Sequence, residues 1–173
     1  MSMEKTILVL NEMQSAGVIG RYAIGGAVAA FFYIEPGTTF DLDVFIAWEP
    51  GAEGLLNLGP IYAYLLERGY RAERETIMIE GWAVQFLPPG SALTREALKE
   101  AQPVAIGQIP TSIFTKEHLM AICLETGRPK DIARLVQFVE EGDPNEEKLF
   151  AILDRHGLRA KWKNFRARFN TSL

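Results

Sequence analysis

The sequence is poor in the residues that staple or metallate small proteins. Cys123 is its only cysteine, so no intrachain disulfide can form. A thiol set between Ile122 and Leu124 reads as a buried helix position. The two histidines, His118 and His156, have no metal-ligand spacing with each other or with Cys123, and helix histidines are the simpler reading. Neither a Ser-His-Asp nor a Cys-His order points to nucleophilic catalysis. Long apolar runs are missing too. The longest candidate, Tyr22 to Ile34, is broken by Gly25 and Gly26 and falls short of the roughly 20 residues that span a bilayer. Met1-Ser2-Met3-Glu4-Lys5 has no basic head before an apolar run, and no small-residue cleavage site follows. A cytoplasmic protein with no membrane partner is the expectation. Excess positive charge is also lacking. A net charge of -4 and a pI near 5.3 argue against a chain whose main business is coating nucleic acid.

What is present fits a globular chain: 173 residues, 48% hydrophobic and 23% charged, enough for one ordinary domain or a core with an appendage. Residues 4–16 place Ile7, Leu8, Leu10 and Met13 at helical spacing, and Gly17 supplies a stop. Arg21-Tyr22-Ala23-Ile24 reads as a short strand running into Gly25-Gly26. Ala27 to Tyr33 reads as a buried helix ended by Pro36-Gly37, and Thr39 to Trp48 as a strand rich in β-branched and aromatic residues. Pro50, Gly51 and Gly54 predict a loop, and Leu58 to Gly69 an amphipathic helix closed by glycine. Ile77 and Ile79, a Glu80-Gly81 turn and Trp82 to Leu87 make a hairpin. Thr94 to Ala101 reads as a short helix and Val104 to Ile109 as a last strand. From Thr115 on the patterns are helical: Thr115 to Thr126, Lys130 to Glu141, Glu146 to His156, and a final basic stretch after Leu158. The expected organisation is α+β, with a mixed core over 1–112 and a helical subdomain over 113–173 packed on it, because about 60 residues make a thin core alone.

One constellation carries chemistry. A strand that ends in Gly25-Gly26 and opens a helix exposes backbone N–H groups to an anion. Asp41 and Asp43 are two apart, so on a strand both face the same way. Paired carboxylates form a hard-oxygen site suited to Mg²⁺, which prefers carboxylates together with substrate phosphates. A Gly-Gly turn alone is most often only a turn, and Asp-x-Asp alone most often a solvated strand start. The two in this order, 15 positions apart (41 minus 26), suggest handling of a nucleoside triphosphate.

The segment IGGAVAAFFYIEPGTTFDLDVFI resembles the signature of the DNA polymerase β-like nucleotidyltransferase superfamily, in which a hydrophobic-Gly-Gly/Ser turn precedes an Asp-x-Asp strand. The nearest likeness is to the AbiEii-type toxin branch, whose helical tail carries Arg-x-Lys-Asp, here Arg128-Pro129-Lys130-Asp131. Haloacid-dehalogenase-type phosphatases and many glycosyltransferases fit less well. They put the pair at the C-terminal end of a hydrophobic strand, whereas here Val44-Phe45-Ile46-Ala47 follows it. The resemblance implies a nucleotidyltransferase-like mixed sheet flanked by helices, followed by a helical C-terminal segment. It implies Mg²⁺ as cofactor and transfer of a nucleoside monophosphate to a hydroxyl of RNA, protein or a small molecule, with an antitoxin protein as partner in that branch. Gly25 and Gly26 would cradle the triphosphate, Asp41 and Asp43 would be the catalytic metal-binding acids, and Lys130 and Lys116 would reach the nucleotide.

The third acid of the family falls on Gln85, by the order of the motifs. An amide oxygen can touch a metal but brings no charge, and it cannot serve as general base for the acceptor. The chain then either works with two acids, or binds nucleotide as a non-catalytic or protein-interaction module, or has another register on that hairpin. Glu80, the nearest acid, falls in the turn. The basic stretch from Arg155 to Leu173 interleaves Trp162, Phe165 and Phe169 with Arg155, Arg159, Lys161, Lys163, Arg166 and Arg168. Its simpler reading is an amphipathic helix docking its aromatics, its alternative a surface for RNA or an acidic partner.

Overall fold

The computed structural model describes residues 1–47 and 58–169. The expected loop residues Pro50, Gly51 and Gly54, the strand end at Trp48 and the last four residues lie outside them. The chain opens with α1 (Met3–Ser15), β1 (Tyr22–Ile24), α2 (Gly26–Ala30) and β2 (Asp41–Ile46). Then follow α3 (Gly59–Glu67), β3 (Arg71–Glu73), β4 (Thr76–Ile79), β5 (Trp82–Leu87), α4 (Ala92–Lys99), β6 (Gln102–Ile106) and β7 (Ile109–Ile113). Four helices finish it: α5 (Lys116–Thr126), α6 (Pro129–Glu141), α7 (Glu146–Arg155) and α8 (Arg159–Phe169).

The strands form one mixed sheet in the order β3-β4-β5-β2-β1-β7-β6. β2 runs antiparallel to β1 and parallel to β5, and the register sets Asp41 beside Ala83, Leu42 beside Val84 and Asp43 beside Gln85. Alternation along β2 buries Leu42, Val44 and Ile46 and turns Asp41, Asp43 and Phe45 to the other face. β5 continues the pattern, with Val84 and Phe86 buried. Period-two burial therefore puts every acid of the motif on one side of the sheet, and a slip of one residue would bury both carboxylates.

α1 crosses the sheet. The Ser2 N–H meets the Glu80 carbonyl and the Thr6 hydroxyl the Ile79 carbonyl, while the Asn11 amide reaches the Pro110 carbonyl. Its buried stripe is Thr6, Ile7, Val9, Leu10 and Met13. Leu8, expected inside, is 43% exposed; helical rotation gives its place to Val9 and Thr6. One apolar cluster runs from α1 and the central strands into Leu124, Leu135, Phe138, Leu149, Ile152 and Trp162 of the last four helices. The expected division after residue 112 falls inside β7.

Two expectations about single elements need correction. Val104 to Ile109 is not one strand but the arms of a hairpin, β6 and β7, joined by Gly107 and Gln108 with Ile106 opposite Ile109. Gly107 has φ +61°, the left-handed conformation that two-residue hairpin loops favour at their first central position. Pro103 lies on the edge strand, and β7 meets β1 only at Ile113, so neither Pro103 nor Pro110 deprives the sheet of an interior bond. β3 was not expected at all. All three of its residues are exposed, so no alternation marks it in the sequence. The Ala27–Tyr33 helix is shorter than expected, ending at Ala30 before turns.

Candidate functional site

β2 and β5 supply the floor of a cleft of about 730 Å³, whose lining includes Gly26, Thr39, Asp41, Asp43, Gln85, Glu125, Arg128, Lys130 and Arg134. Asp41 and Asp43 come from the sheet, and the cations come from the opposing α5 and α6, which also bring Glu125 and Asp131. The α5–α6 junction is tight for a local reason. Gly127 closes α5 in the left-handed region at φ +64°, and Pro129 occupies the first turn of α6, an arrangement that ends one helix and starts the next within two residues.

Asp43 is packed against glycine. Gly26 has φ +57°, and a Cβ built there would lie 1.9 Å from Asp43 Oδ2. Only a residue without a side chain allows the carboxylate to rest on the main chain at this point. Gly25 does a different job. Its N–H donates to the Asp43 carbonyl at 2.9 Å, and a Cβ there would stand 2.6 Å from Phe45 Cε2. The N–H of Gly25 is thus spent within the β1–β2 connection, and Gly25 is buried behind the cleft surface that Gly26 lines.

Burial raises the Asp43 carboxyl above its ordinary range. Lys130 pulls the other way and Asp41 adds to the rise, with Arg134 and Arg128 pulling down more weakly. Three cations therefore act on one half-buried acid across the cleft, a field that favours an anionic ligand between them. Gln85, level with Asp43 on β5, contributes an amide where a carboxylate would sharpen the repulsion.

The Asp131 carboxylate is 2% exposed and serves the cations. Arg128 Nε donates to its Oδ2 and Arg128 Nη2 to its Oδ1 at 3.3 Å, Thr126 Oγ1 donates at 2.7 Å, and Arg134 Nη1 stands 3.8 Å away. Burial opposes its ionisation, but the hydrogen bonds from Arg128 and Thr126 outweigh that and hold its pKa below the ordinary carboxylate value. A fork-to-carboxylate bond fixes the guanidinium plane, so Asp131 positions Arg128 at the cleft mouth.

The expected site residues do not all converge. Gly26, Asp41, Asp43, Gln85 and Lys130 share the cleft. Lys116 does not: its Nζ donates to the carbonyls of Gly142 and Asp143 at the end of α6, where it caps carbonyls that the helix leaves unpaired. Glu80 stays in the β4–β5 turn, accepting from the Tyr70 hydroxyl at 3.0 Å. Two charged cleft residues escaped the sequence reading. Arg134 lies one helical turn beyond Lys130, a spacing that could have flagged it. Glu125, which accepts from the Ser91 hydroxyl at 3.1 Å, has no local signal because the contact joins α5 to the start of α4.

Two carboxylates, an amide oxygen and a side-chain-free backbone beside them are a donor set that fits a hard divalent cation sharing its shell with phosphate oxygens. No family model matches the chain, and no curated protein matches it in sequence. Solved structures do match in shape. An antigenic nucleotidyltransferase-like protein from Paracoccidioides brasiliensis aligns over 99% of both chains with a TM-score of 0.57 at 15% identity. ANT(2")-Ia in complex with adenylyl-2"-tobramycin aligns over 90% of this chain and 98% of that one, with a TM-score of 0.53 at 16% identity. The solution structure of the antibiotic-resistance factor ANT(2'')-Ia aligns over 95% and 94%, again with a TM-score of 0.53 at 16% identity. With a mixed sheet of seven strands among the described residues, flanked by helices, the chain has a nucleotidyltransferase-like α+β fold.

Proposed function

We propose that the chain is a Mg²⁺-dependent nucleotidyltransferase that moves a nucleoside monophosphate from a nucleoside triphosphate to a hydroxyl acceptor. The observation that carries this reading is the facing of Asp41 and Asp43, on one side of the sheet, by Arg128, Lys130 and Arg134 across a single cleft. Asp41 and Asp43 would hold the cation, with the Gln85 amide oxygen beside them. Bound there, Mg²⁺ would supply charge neutralisation for the reacting phosphoryl group. Lys130, Arg128 and Arg134 bind and orient the triphosphate oxygens, and Gly26 leaves room for them beside Asp43.

Gln85 supports a second reading. With an amide level with Asp43, the cleft would bind nucleotide without transferring it, as a nucleotide-binding or protein-interaction module. Among the cleft carboxylates other than the Asp pair, Asp131 is engaged by Arg128, which leaves Glu125 to take the acceptor's proton if transfer occurs. The AbiEii-type likeness of Arg128-Pro129-Lys130-Asp131 supports a role as a toxin with an antitoxin partner. The acceptor is RNA, protein or a small molecule such as an aminoglycoside, the last suggested by the tobramycin adduct of a structural neighbour.

The test is incubation with labelled nucleoside triphosphates and Mg²⁺ over total RNA, protein and aminoglycoside acceptors, comparing the natural chain with Asp43→Asn. Label transfer lost in the variant supports the enzyme. Transfer that survives it removes Asp43 from the mechanism, and nucleotide binding without any transfer supports the module.

A further inference from the structure

Away from the cleft, α4, α5 and the end of α7 meet at a second cluster of titratable groups. Glu96 of α4 engages both carboxylate oxygens: His118 Nε2 lies 3.2 Å from Oε1, and His156 Nε2 lies 2.8 Å from Oε2. Glu100, one turn on, brings Oε2 to 3.9 Å from the same His118 nitrogen. The other ring nitrogen of His118 is fixed by the Thr115 hydroxyl at 2.8 Å. None of these glutamates and histidines is among the residues lining the cleft. The geometry points to a second metal centre, a zinc site held by Glu96, Glu100 and His118 and separate from the Asp41–Asp43 pair.

The ligand atoms of these three residues lie within 4.8 Å of one another. Zinc bonds of about 2.0–2.2 Å in a tetrahedron place neighbouring ligands about 3.3 Å apart. The observed 3.2 and 3.9 Å need only small rotations of the exposed Glu100 to reach that. An imidazole with carboxylates suits zinc and its transition-metal neighbours, whereas Mg²⁺ prefers oxygen alone. The Thr115 bond to His118 Nδ1 is the outer-shell contact that fixes a ligating ring, and His156 on the second oxygen of Glu96 does the same for the carboxylate.

Two carboxylates and an imidazole converge here, and the cation now paired with them is Arg155, whose Nη2 donates to Glu96 Oε1 and whose Nε donates to Oε2 at 3.4 Å. Arg155 is half-exposed and can turn outward when a metal takes Glu96. The ion would then tie α4 to α5, with α7 held through His156, and stabilise the folded chain by mass action.

The full chain, stripped of metal by chelation, is titrated with zinc against a chromophoric chelator, and its thermal unfolding is followed in parallel. Both measurements use Asp41→Asn/Asp43→Asn protein, so that the cleft cannot supply the binding. We expect one zinc per chain and a higher Tm with zinc than with equimolar Mg²⁺. Glu100→Gln, at a position 45% exposed, keeps the fold and weakens zinc at least about tenfold, as His118→Gln also does. No stoichiometric zinc uptake overturns the proposal. So does uptake that Glu100→Gln leaves unchanged, which would point instead to the Cys123 thiol or to the surface. Because the cleft acids are already removed, failure of nucleotidyl transfer and failure of this site are read independently.

Discussion

Asp43 shows how a site residue strains the fold that holds it. Its pKa is raised, chiefly by burial, so the folded state binds its proton more tightly than the unfolded state does. A raised carboxylate lowers stability as pH climbs through its folded value, and its ionisation in the folded chain is a cost that a bound cation would relieve. Asp43→Asn removes that cost while keeping the shape. We expect the metal-free variant to melt about 1–3 °C above the natural chain at pH 7, with the gap closing at acid pH and reversing in saturating Mg²⁺. Calorimetry across pH 4–8, with and without Mg²⁺, checks it. A variant that melts lower at every pH would mean that Asp43 is held by partners rather than burdened by burial. The same residue was readable in advance because alternation on a strand is the simplest geometry a sequence can state: two acids two apart must share a face. The left-handed Gly26 against its carboxylate was readable only as a Gly-Gly pair, not as the contact that requires it.

At the scale of paired elements, the β2–β5 register decides what chemistry the cleft can support. Asp43 and Gln85 are neighbours across that parallel pair, so Gln85→Asp places a third carboxylate beside the second. Without a divalent cation, adjacent like charges should cost about 0.5–1 kcal/mol in urea unfolding. With Mg²⁺ the loss should turn into a gain, and nucleotidyl transfer should rise or first become measurable. Indifference of the variant to Mg²⁺ would count against a metal at this position. The α5–α6 junction makes a separate prediction. Asp131 is ionised more readily than an ordinary aspartate because Arg128 and Thr126 outweigh its burial. A lowered carboxylate contributes stability above its unfolded pKa of roughly 4 and loses it as pH falls through the folded value. Asp131→Asn should therefore cost about 1–3 kcal/mol at pH 7 and progressively less below pH ~4, measured by urea unfolding at each pH. A cost independent of pH would assign the loss to packing instead.

What escaped the sequence belongs to this scale as well. Gly107 sits in a two-residue loop that cuts a single apolar stretch into β6 and β7, and a short loop flanked by isoleucines leaves the periodicity of one strand. β3 has no buried residue, so nothing in its pattern separates it from loop. Lys116 could not be told from Lys130 by composition. Only the fold sends one to the carbonyls that end α6 and the other to the cleft.

Over the whole molecule, charge and apolar surface are distributed unevenly, and the last helix shows which of the two governs its position. α8 carries Arg159, Lys161, Lys163, Arg166 and Arg168 in a chain of net charge -4, yet it docks through aromatics. Trp162 and Phe165 are buried, their rings 5.5 Å apart, and Phe150 of α7 lies 6.5 Å from Trp162. Arg159 is spent on Asp154, and Lys161 donates to the Glu125 carbonyl at the end of α5. The amphipathic reading therefore accounts for the helix, with its basic residues on the solvent side. Trp162 is 4% exposed, and among the described residues its Nε1 finds no hydrogen-bond partner. A buried donor without a partner contributes nothing polar to lose, so the worth of Trp162 lies in volume and ring contact. Trp162→Ala should cost about 3–5 kcal/mol by leaving a cavity between α7 and α8. Trp162→Phe keeps an aromatic ring in that space and drops the unpaired N–H, so it should cost less than about 1.5 kcal/mol. Urea unfolding of both variants against the natural chain separates the terms. A phenylalanine variant as damaged as the alanine one would show that the indole nitrogen has a partner holding α8 in place.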